Sequence, residues 1–440
     1  MRHAERARRR ALFVLLLLVA GAGSARAQSP ADRIATLLTD HGFENVAVLV
    51  QDGTVTVWYE NRIYRNELTG MGVAARLAAA DLDSAAVLEL VPENRGVALV
   101  AVSAPAAAWR SFLDGELDAV SFRASIRIDM ERRLSGLPLG PRGLEHHNPS
   151  HFRTDLELRP LFSFQLGNGS DPFDYTLKVA PEAVMSPLAG ALITLQGAIR
   201  IHDDLDPCGA EEPCGLAFKP ERNTLSWGGW VPGNCLLAVS GGIFPADRYG
   251  FAGEVGRLFW DGQLEVWAGG DLTGEILFKK DVIDYSDMTA WSAFAAATHR
   301  FQGLDLETTL TFGRFYREEG DVAVKLELAR RIEEFEIGFF GATHGSNLGM
   351  SPYEKGDTSV GVNLRFALPV RTYSRPRTFR PSTVPEFPFT YRSTVDPVAV
   401  PVSMYDNLDR FRKRLYPTFI RNEIEDLRSA NRYLGAGEGS

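Results

Sequence analysis

The stretch Phe152–Gly167, FRTDLELRPLFSFQLG, decides how the chain is read. Thr154, Leu156, Leu158, Pro160, Phe162, Phe164 and Leu166 fall on one face of an extended strand, and Arg153, Asp155, Glu157, Arg159, Ser163 and Gln165 on the other. Successive side chains of a strand point to opposite faces of its sheet, so this alternation gives one apolar and one polar face. Segments of about ten residues patterned in this way suit a strand that meets lipid on one side and a watery lumen on the other. LDLETTLTF from Leu304, VAVKLELA from Val322 and SVGVNLRFAL from Ser359 repeat the pattern. The expectation is a mainly β chain whose residues 151–395 form a transmembrane antiparallel β-barrel. At roughly twenty residues per strand and loop, that length holds about twelve strands, an even number.

Upstream, Arg2, Arg6, Arg8, Arg9 and Arg10 precede the run ALFVLLLLVA, and Ala25-Arg26-Ala27 supplies small residues where signal peptidase cuts. Residues 1–27 therefore read as a cleavable secretory signal rather than a membrane anchor. Its removal leaves 41 basic against 55 acidic residues, where the whole chain has 47 and 56, and the formal charge moves from −9 to −14. A chain this acidic is a poor candidate for nucleic-acid binding. No other stretch approaches the roughly eighteen apolar residues of a spanning helix, so any membrane span has to be a barrel. The 41 Gly, 24 Pro and 10% aromatic residues suit a turn-rich β protein, and 440 residues leave room for a small domain beside the barrel.

Residues 29–113 read as that domain, a periplasmic α/β unit with the order αββαββ. Ser29 can cap a helix with Pro30 first and Asp32 third, Ile34, Leu37 and Leu38 make its apolar stripe, and Gly42 ends it. VAVLV and TVTVWY flank Gln51-Asp52-Gly53, a hairpin with an Asp-Gly turn. A second helix over about Tyr64 to Ala80 leads to AVLELV, a turn at Asn94-Arg95-Gly96 and VALVAVS. Residues 114–150 form a connector with a polar strand, SFRASIRIDM, and the loop-forming run SGLPLGPRG. Residues 396–440 turn helical in character: Leu408, Phe411, Leu415, Phe419, Ile420, Ile424 and Leu427 follow helical spacing, interrupted by Pro417. Such a tail can pack on the α/β domain or cover the barrel mouth.

Candidate sites each carry a plain structural explanation. Cys208 and Cys214 bracket the acidic loop CGAEEPC; a bridge between them would pin a long loop in an oxidising compartment, and the alternative is three unpaired thiols with Cys235. Glu145-His146-His147 with His151 lies in a Pro/Gly-rich connector with no helix to set two metal ligands on one face, so a solvated linker is favoured over a metal site. Asp203, Asp204, Asp206, Glu211 and Glu212 form an acidic run that is either hydrated or a calcium loop. Asp155, Glu157, Arg159, Asp305, Glu307, Lys325, Glu327 and Arg365 include carboxylate pairs of the kind a glycosidase uses, but a lumen lined with mixed charge accounts for each of them. No GxSxG elbow, P-loop or HExxH appears in the sequence, and no catalytic, cofactor or metal residue is assigned. Trp227, Trp230, Trp260, Trp267, Trp291, Phe312, Phe315 and Tyr316 read as interfacial girdles or, where they face the lumen, as stacking surfaces for sugar rings.

Two stretches, Gly42–Ala78 and Gly313–Val370, resemble the YjbH/GfcD-like family of outer-membrane proteins of exopolysaccharide or capsule production. The resemblance rests on Gly313-Arg314-Phe315, Gly320-Asp321, Arg330, Gly338, Glu354-Lys355-Gly356 and the strand ending at Pro369. Arg248–Phe278 is similar to the family's mid-barrel hairpins. The resemblance implies an outer-membrane barrel with a periplasmic domain that helps to export or assemble a polysaccharide, with outer-membrane lipid, the exported polymer and other export proteins of the envelope as partners. Its motifs mark strand and turn positions and no chemistry, so neither an enzymatic activity nor a cofactor follows. Gly313 and Gly320 are expected to flank a hairpin in which Arg314 pairs with Glu318 or Asp321 across the lumen, and Lys355-Gly356 to open another strand. Two rival readings stay open: a soluble periplasmic β-rich module that binds polysaccharide or an envelope protein, and a barrel enzyme acting on lipid or polysaccharide.

Overall fold

The computed structural model describes residues 29–130, 145–168, 171–203, 218–245, 247–278, 282–315, 322–332, 335–348, 350, 358–366, 373–374, 379–383, 387–392 and 415–434. Helix α1, Pro30–Asp40, begins with a capping box in which the Ser29 hydroxyl accepts from the Asp32 amide at 3.1 Å and the Asp32 carboxylate accepts from the Ser29 amide. Ile34, Ala35 and Leu38 bury its inner face, while Leu37, placed on that stripe by spacing, is exposed. Strands β1 (Glu44–Gln51) and β2 (Thr54–Glu60) form the hairpin, and Asp52 and Gly53 both take the positive φ of a tight turn. Helix α2, Glu67–Ala79, is capped by Asn66, whose side chain accepts from the Leu68 amide at 2.8 Å. It carries the chain over to β3 (Val87–Asn94), which pairs parallel with β2. The short β4 (Val97–Ala98) and β5 (Ala101–Pro105) return antiparallel to β3.

Beyond the two αββ segments the α/β unit continues with helices α3 (Ala106–Leu113) and α4 (Ala119–Ser125) and strand β6 (Arg127–Asp129), giving the sheet order β1-β2-β3-β5-β6. SFRASIRIDM is thus not one polar strand. Its first half is helical because the Asp118 carboxylate accepts from the amides of Val120 and Ser121, and because Phe122 stacks on Phe112 at 4.2 Å and meets Trp109 edge-on. The C-terminal segment completes the same core: Leu415, Ile420, Ile424, Leu427 and Ala430 join Ile34, Leu68, Met71 and Trp109 in one buried cluster. This segment comprises helix α5 (Pro417–Asn422), a 3-10 stretch (Ile424–Ala430) and helix α6 (Asn431–Leu434). Gly72 on α2 permits the contact, since a Cβ there would lie 2.1 Å from the Leu427 carbonyl oxygen.

The second sheet is long and meandering. Its strands are β7 (Thr154–Asn168), β8 (Asp171–Met185), β9 (Ala191–Asp203), β10 (Phe218–Val231), β11 (Cys235–Phe244), β12 (Arg248–Phe259) and β13 (Leu264–Phe278), with the short β14 (Ile283–Tyr285) folded back on β13. They continue as β15 (Ala290–Phe301), β16 (Leu306–Arg314), β17 (Val322–Ile332), β18 (Phe335–His344) and β19 (Thr358–Phe366). With β14 set aside, the twelve strands from β7 to β19 each pair antiparallel with the next. β20 (Phe379–Thr383) then pairs parallel with β7, and β21 (Phe387–Arg392) pairs antiparallel with β19. One stretch of chain therefore touches both ends of the sheet, and the Tyr391 ring stacks on Phe164 of β7 with centroids 6.2 Å apart.

The two faces of this sheet are inverted relative to a water-soluble protein. Leu195 (56% exposed), Leu225 (61%), Phe251 (64%) and Phe339 (54%) stand on one face, with Val239, Leu272, Leu310, Leu326 and Val360. Glu182, Thr194, Gln196, Ser226, Glu254, Asp271, Ser292 and Thr311 are buried on the other. The observed alternation follows the sequence pattern, but apolar side chains out and polar side chains in is the arrangement that lipid favours and water opposes.

Candidate functional site

The polar face begins on β7. Arg159 pairs with Glu182 of β8 at 3.0 Å and with Glu157 at 3.2 Å, and Gln196 of β9 donates to Glu182 at 2.6 Å. Further round the sheet, Arg300 pairs with Glu265 at 2.6 Å and Glu307 at 3.3 Å, Ser292 donates to Asp271 at 2.8 Å, and Asn363 donates to Glu327 at 3.1 Å. Lys325 lies 4.3 Å from the centre of the Phe340 ring, and Arg365 pairs with Glu336 at 3.3 Å. Asp155, Glu157, Arg159, Glu307, Lys325, Glu327 and Arg365 thus share this face, whereas Asp305 lies in the turn before β16. The result is a wall of alternating sign whose charges are held by neighbours on adjacent strands, the form of cross-strand pairing that stabilises a sheet.

Several expected positions fall differently. Arg314 does not reach across a lumen: its guanidinium lies 3.9 Å from the centre of the Trp291 ring, on the apolar face that Phe312 shares. Gly313 has the opposite parity, and a Cβ there would meet the Ala293 carbonyl at 2.5 Å and Phe294 at 2.6 Å. Trp291, Phe312 and the turn residue Trp260 are exposed. Trp267 and Phe315 instead pack with Phe294 on the polar side, and Trp230 donates to the Ala98 carbonyl of the α/β unit at 2.8 Å. Gly320, Asp321, Lys355, Gly356, Cys208, Cys214 and the acidic run beyond Asp203 lie outside the described residues. Cys235 is a free thiol. His147 exchanges backbone hydrogen bonds with Val46, and among the described residues no group of His, Cys, Asp and Glu is placed to hold a metal ion.

A second polar cluster, not foreseen from the sequence, joins the α/β unit to β7. Arg62 pairs with Glu60 at 3.0 Å and also with Asp155, which Arg95 contacts at 2.7 Å. Asn45 donates to Glu60 at 2.7 Å and to the Ser150 hydroxyl at 2.8 Å, and Arg153 pairs with Glu44 at 2.7 Å. Glu93 lies opposite Glu60 in the parallel β2–β3 pair. Burial, and then the neighbouring Glu60 carboxylate, push the Glu93 carboxyl up to about 8, so it holds its proton at neutral pH. Both acids end apolar strands, TVTVWYE and VLELVPEN, and only the register that makes them neighbours reveals the site.

The C-terminal segment holds the other side of the same sheet end. Tyr416 lies under the Arg300 guanidinium at 4.2 Å and donates to Glu307 at 2.9 Å. Thr418 donates to the Asp261 carbonyl at 2.8 Å, and Arg421 pairs with the Asp261 carboxylate at 2.9 Å. These contacts, like those of Arg95 with Gly190 and of Trp230 with Ala98, lie at the sheet end where the β8–β9, β12–β13 and β15–β16 turns are short.

Residues 7–216 match the family model described as exopolysaccharide biosynthesis protein YbjH. Over that span the chain is similar to the YjbH family. The matched span contains the α/β unit, the polar cluster on β7 and strands β7 to β9, so the junction itself lies within the family region. No curated protein matches the chain. Among solved structures, a loop-deletion mutant of OmpT, an outer membrane protein of Vibrio cholerae, is similar at 10% identity over 56% of this chain and 94% of that one, with a TM-score of 0.27. A triple mutant of the Rhodopseudomonas blastica porin is similar at 10% identity over 48% of this chain and 90% of its own, with a TM-score of 0.26.

Proposed function

We propose that the chain is an outer-membrane β-barrel whose periplasmic α/β unit takes part in export or assembly of an exopolysaccharide, without covalent chemistry of its own. The observation that carries the reading is the inverted long sheet, with Leu225, Phe251 and Phe339 exposed on one face and Glu182, Gln196 and Asp271 buried on the other. A soluble binding module would have to leave that apolar face in water, at roughly 25 cal/mol for each Å² exposed. The family region supplies the link to exopolysaccharide.

In this reading the sheet closes on itself, with β20 and β21 together taking the place of one closing strand between β19 and β7. Counted as one, that strand makes thirteen, and strands of alternating direction close in odd number only if the first and last run parallel, which is the β7–β20 arrangement. The short turns and the α/β unit face the periplasm, as short turns do in this class. The partners are the exported polymer and other envelope proteins of its export. The test is secretion: cells lacking the protein should release less exopolysaccharide and recover with the wild-type gene. Unchanged secretion would remove the functional half of the reading while leaving the barrel intact.

A further inference from the structure

The α/β unit and the C-terminal segment touch the short-turn rim of the long sheet nearly all the way round. On β7 the contact is Asp155 with Arg62 and Arg95; at the β8–β9 turn it is the Gly190 amide with the Arg95 carbonyl at 2.8 Å; at the end of β10 it is Trp230 with Ala98. The C-terminal segment takes over at the β12–β13 turn through Asp261, at β15–β16 through Arg300 and Glu307, and at β17, where Arg331 lies 5.7 Å from the Phe419 ring centre. Beyond β19, Tyr373 stacks on Tyr433 at 5.8 Å and lies 5.6 Å from Tyr64. A small unit fastened at so many points of one rim spans the mouth.

The fastenings differ in kind. On the β7 side they are buried ion pairs, with Asp155, Arg62 and Arg95 side chains at 8%, 10% and 12% exposure. Breaking such pairs leaves charges stranded, so this side holds. On the opposite side the Arg421–Asp261 pair is open to water, at 37% and 58% exposure, and an exposed pair contributes little. The firmest attachment there is Tyr416, wedged between Arg300 and Glu307. The rest of the segment belongs to the α/β unit: Leu427 packs against Gly72, and Arg428 donates to the carbonyls of Phe112 at 3.0 Å and Leu117 at 2.6 Å.

We propose that the α/β unit is a lid that closes the periplasmic mouth of the barrel, and that it opens on the β7 side as hinge when the strap Tyr416–Asn422 leaves the rim, admitting a hydrophilic polymer chain. The inference rests on the barrel reading. It assigns Tyr416 and the Asp261–Thr418 contact a gating role rather than a purely structural one.

The experiment is planar-bilayer conductance of the purified full-length protein, with heat-shifted gel mobility of each variant as the check that the barrel is folded. Wild type is expected to open rarely. Tyr416→Ala, which removes a cation–π contact and a charged hydrogen bond, should raise the open fraction at least about tenfold. A double variant, Asp261→Cys with Thr418→Cys, in a background with Cys208, Cys214 and Cys235 replaced by Ser, should stay shut when oxidised and, lacking the Thr418 hydroxyl and the Asp261 carboxylate, open more often than wild type when reduced. Steady full conductance of wild type, or a folded Tyr416→Ala as closed as wild type, overturns the lid while the barrel stands. A wild type that neither shifts on heating nor inserts overturns the barrel and the lid with it.

Discussion

Glu93 shows what a single side chain can report. Its carboxyl is buried against Glu60 and titrates near 8, above the ordinary carboxylate range, so folding favours the protonated form. The stability it contributes is complete at acidic pH and is lost as pH rises through about 8. Glu93→Gln, which keeps the shape without the charge, should therefore match wild type at about pH 4 and melt progressively higher than it as pH rises to about 9; equal melting temperatures at both would remove the buried proton from the account. Neither Glu60 nor Glu93 stands out in the sequence, because each looks like the polar end of a strand. Arg314 fails in the opposite sense: its place in a charged hairpin suggested a lumen partner, but strand parity sets it beside Trp291 on the apolar face. At this scale the sequence gives residue types and register decides their meaning.

Among elements, the strands were the most legible, since period-two alternation is a local signal and the faces of β7 follow it. The helix Ala119–Ser125 was not, because a short helix fixed by one capping Asp and one buried Phe has little periodicity to show. The amphipathic tail was expected on the domain or over the mouth; its described part packs into the α/β core and touches the long sheet at Asp261 and Glu307. Gly72→Val should dislodge the Ile424–Ala430 stretch from α2, since the new Cβ has the Leu427 carbonyl oxygen in its place; trypsin should then release the C-terminal segment faster, and an unchanged rate would contradict the contact.

A titrating group, Glu423, follows directly on the strap. Burial, then Asp305 and Asp426, raise the Glu423 carboxyl, with Arg331 acting against them. The docked strap thus prefers neutral Glu423 and holds most firmly below the carboxyl's ordinary range, loosening as pH rises through the docked value. The same trypsin assay, compared with an unrelated substrate at each pH, should lose this dependence in Glu423→Gln; a dependence that persists would assign it elsewhere. For the closing strand, Leu156→Cys with Pro381→Cys joins residues paired across β7 and β20, in a background without the native cysteines. Oxidation should give a faster, reducible band on a denaturing gel, and no bridge would argue against closure there.

For the molecule as a whole, one physical fact organises the rest: a long sheet that turns its apolar side outward needs a solvent other than water on that side. Sequence alternation carries the existence of two faces but not which one turns outward, and the same pattern would serve a soluble sandwich with its apolar face inside. Nor does a single sequence show that segments 359 residues apart meet in one core, as Leu427 and Leu68 do, because such contacts depend on topology rather than on neighbours. The most direct measurement is fractionation of the native protein between inner and outer membranes, with unheated and boiled samples run side by side. An outer-membrane band that shifts on boiling is the predicted result, and a soluble, unshifted protein would contradict the account at its centre.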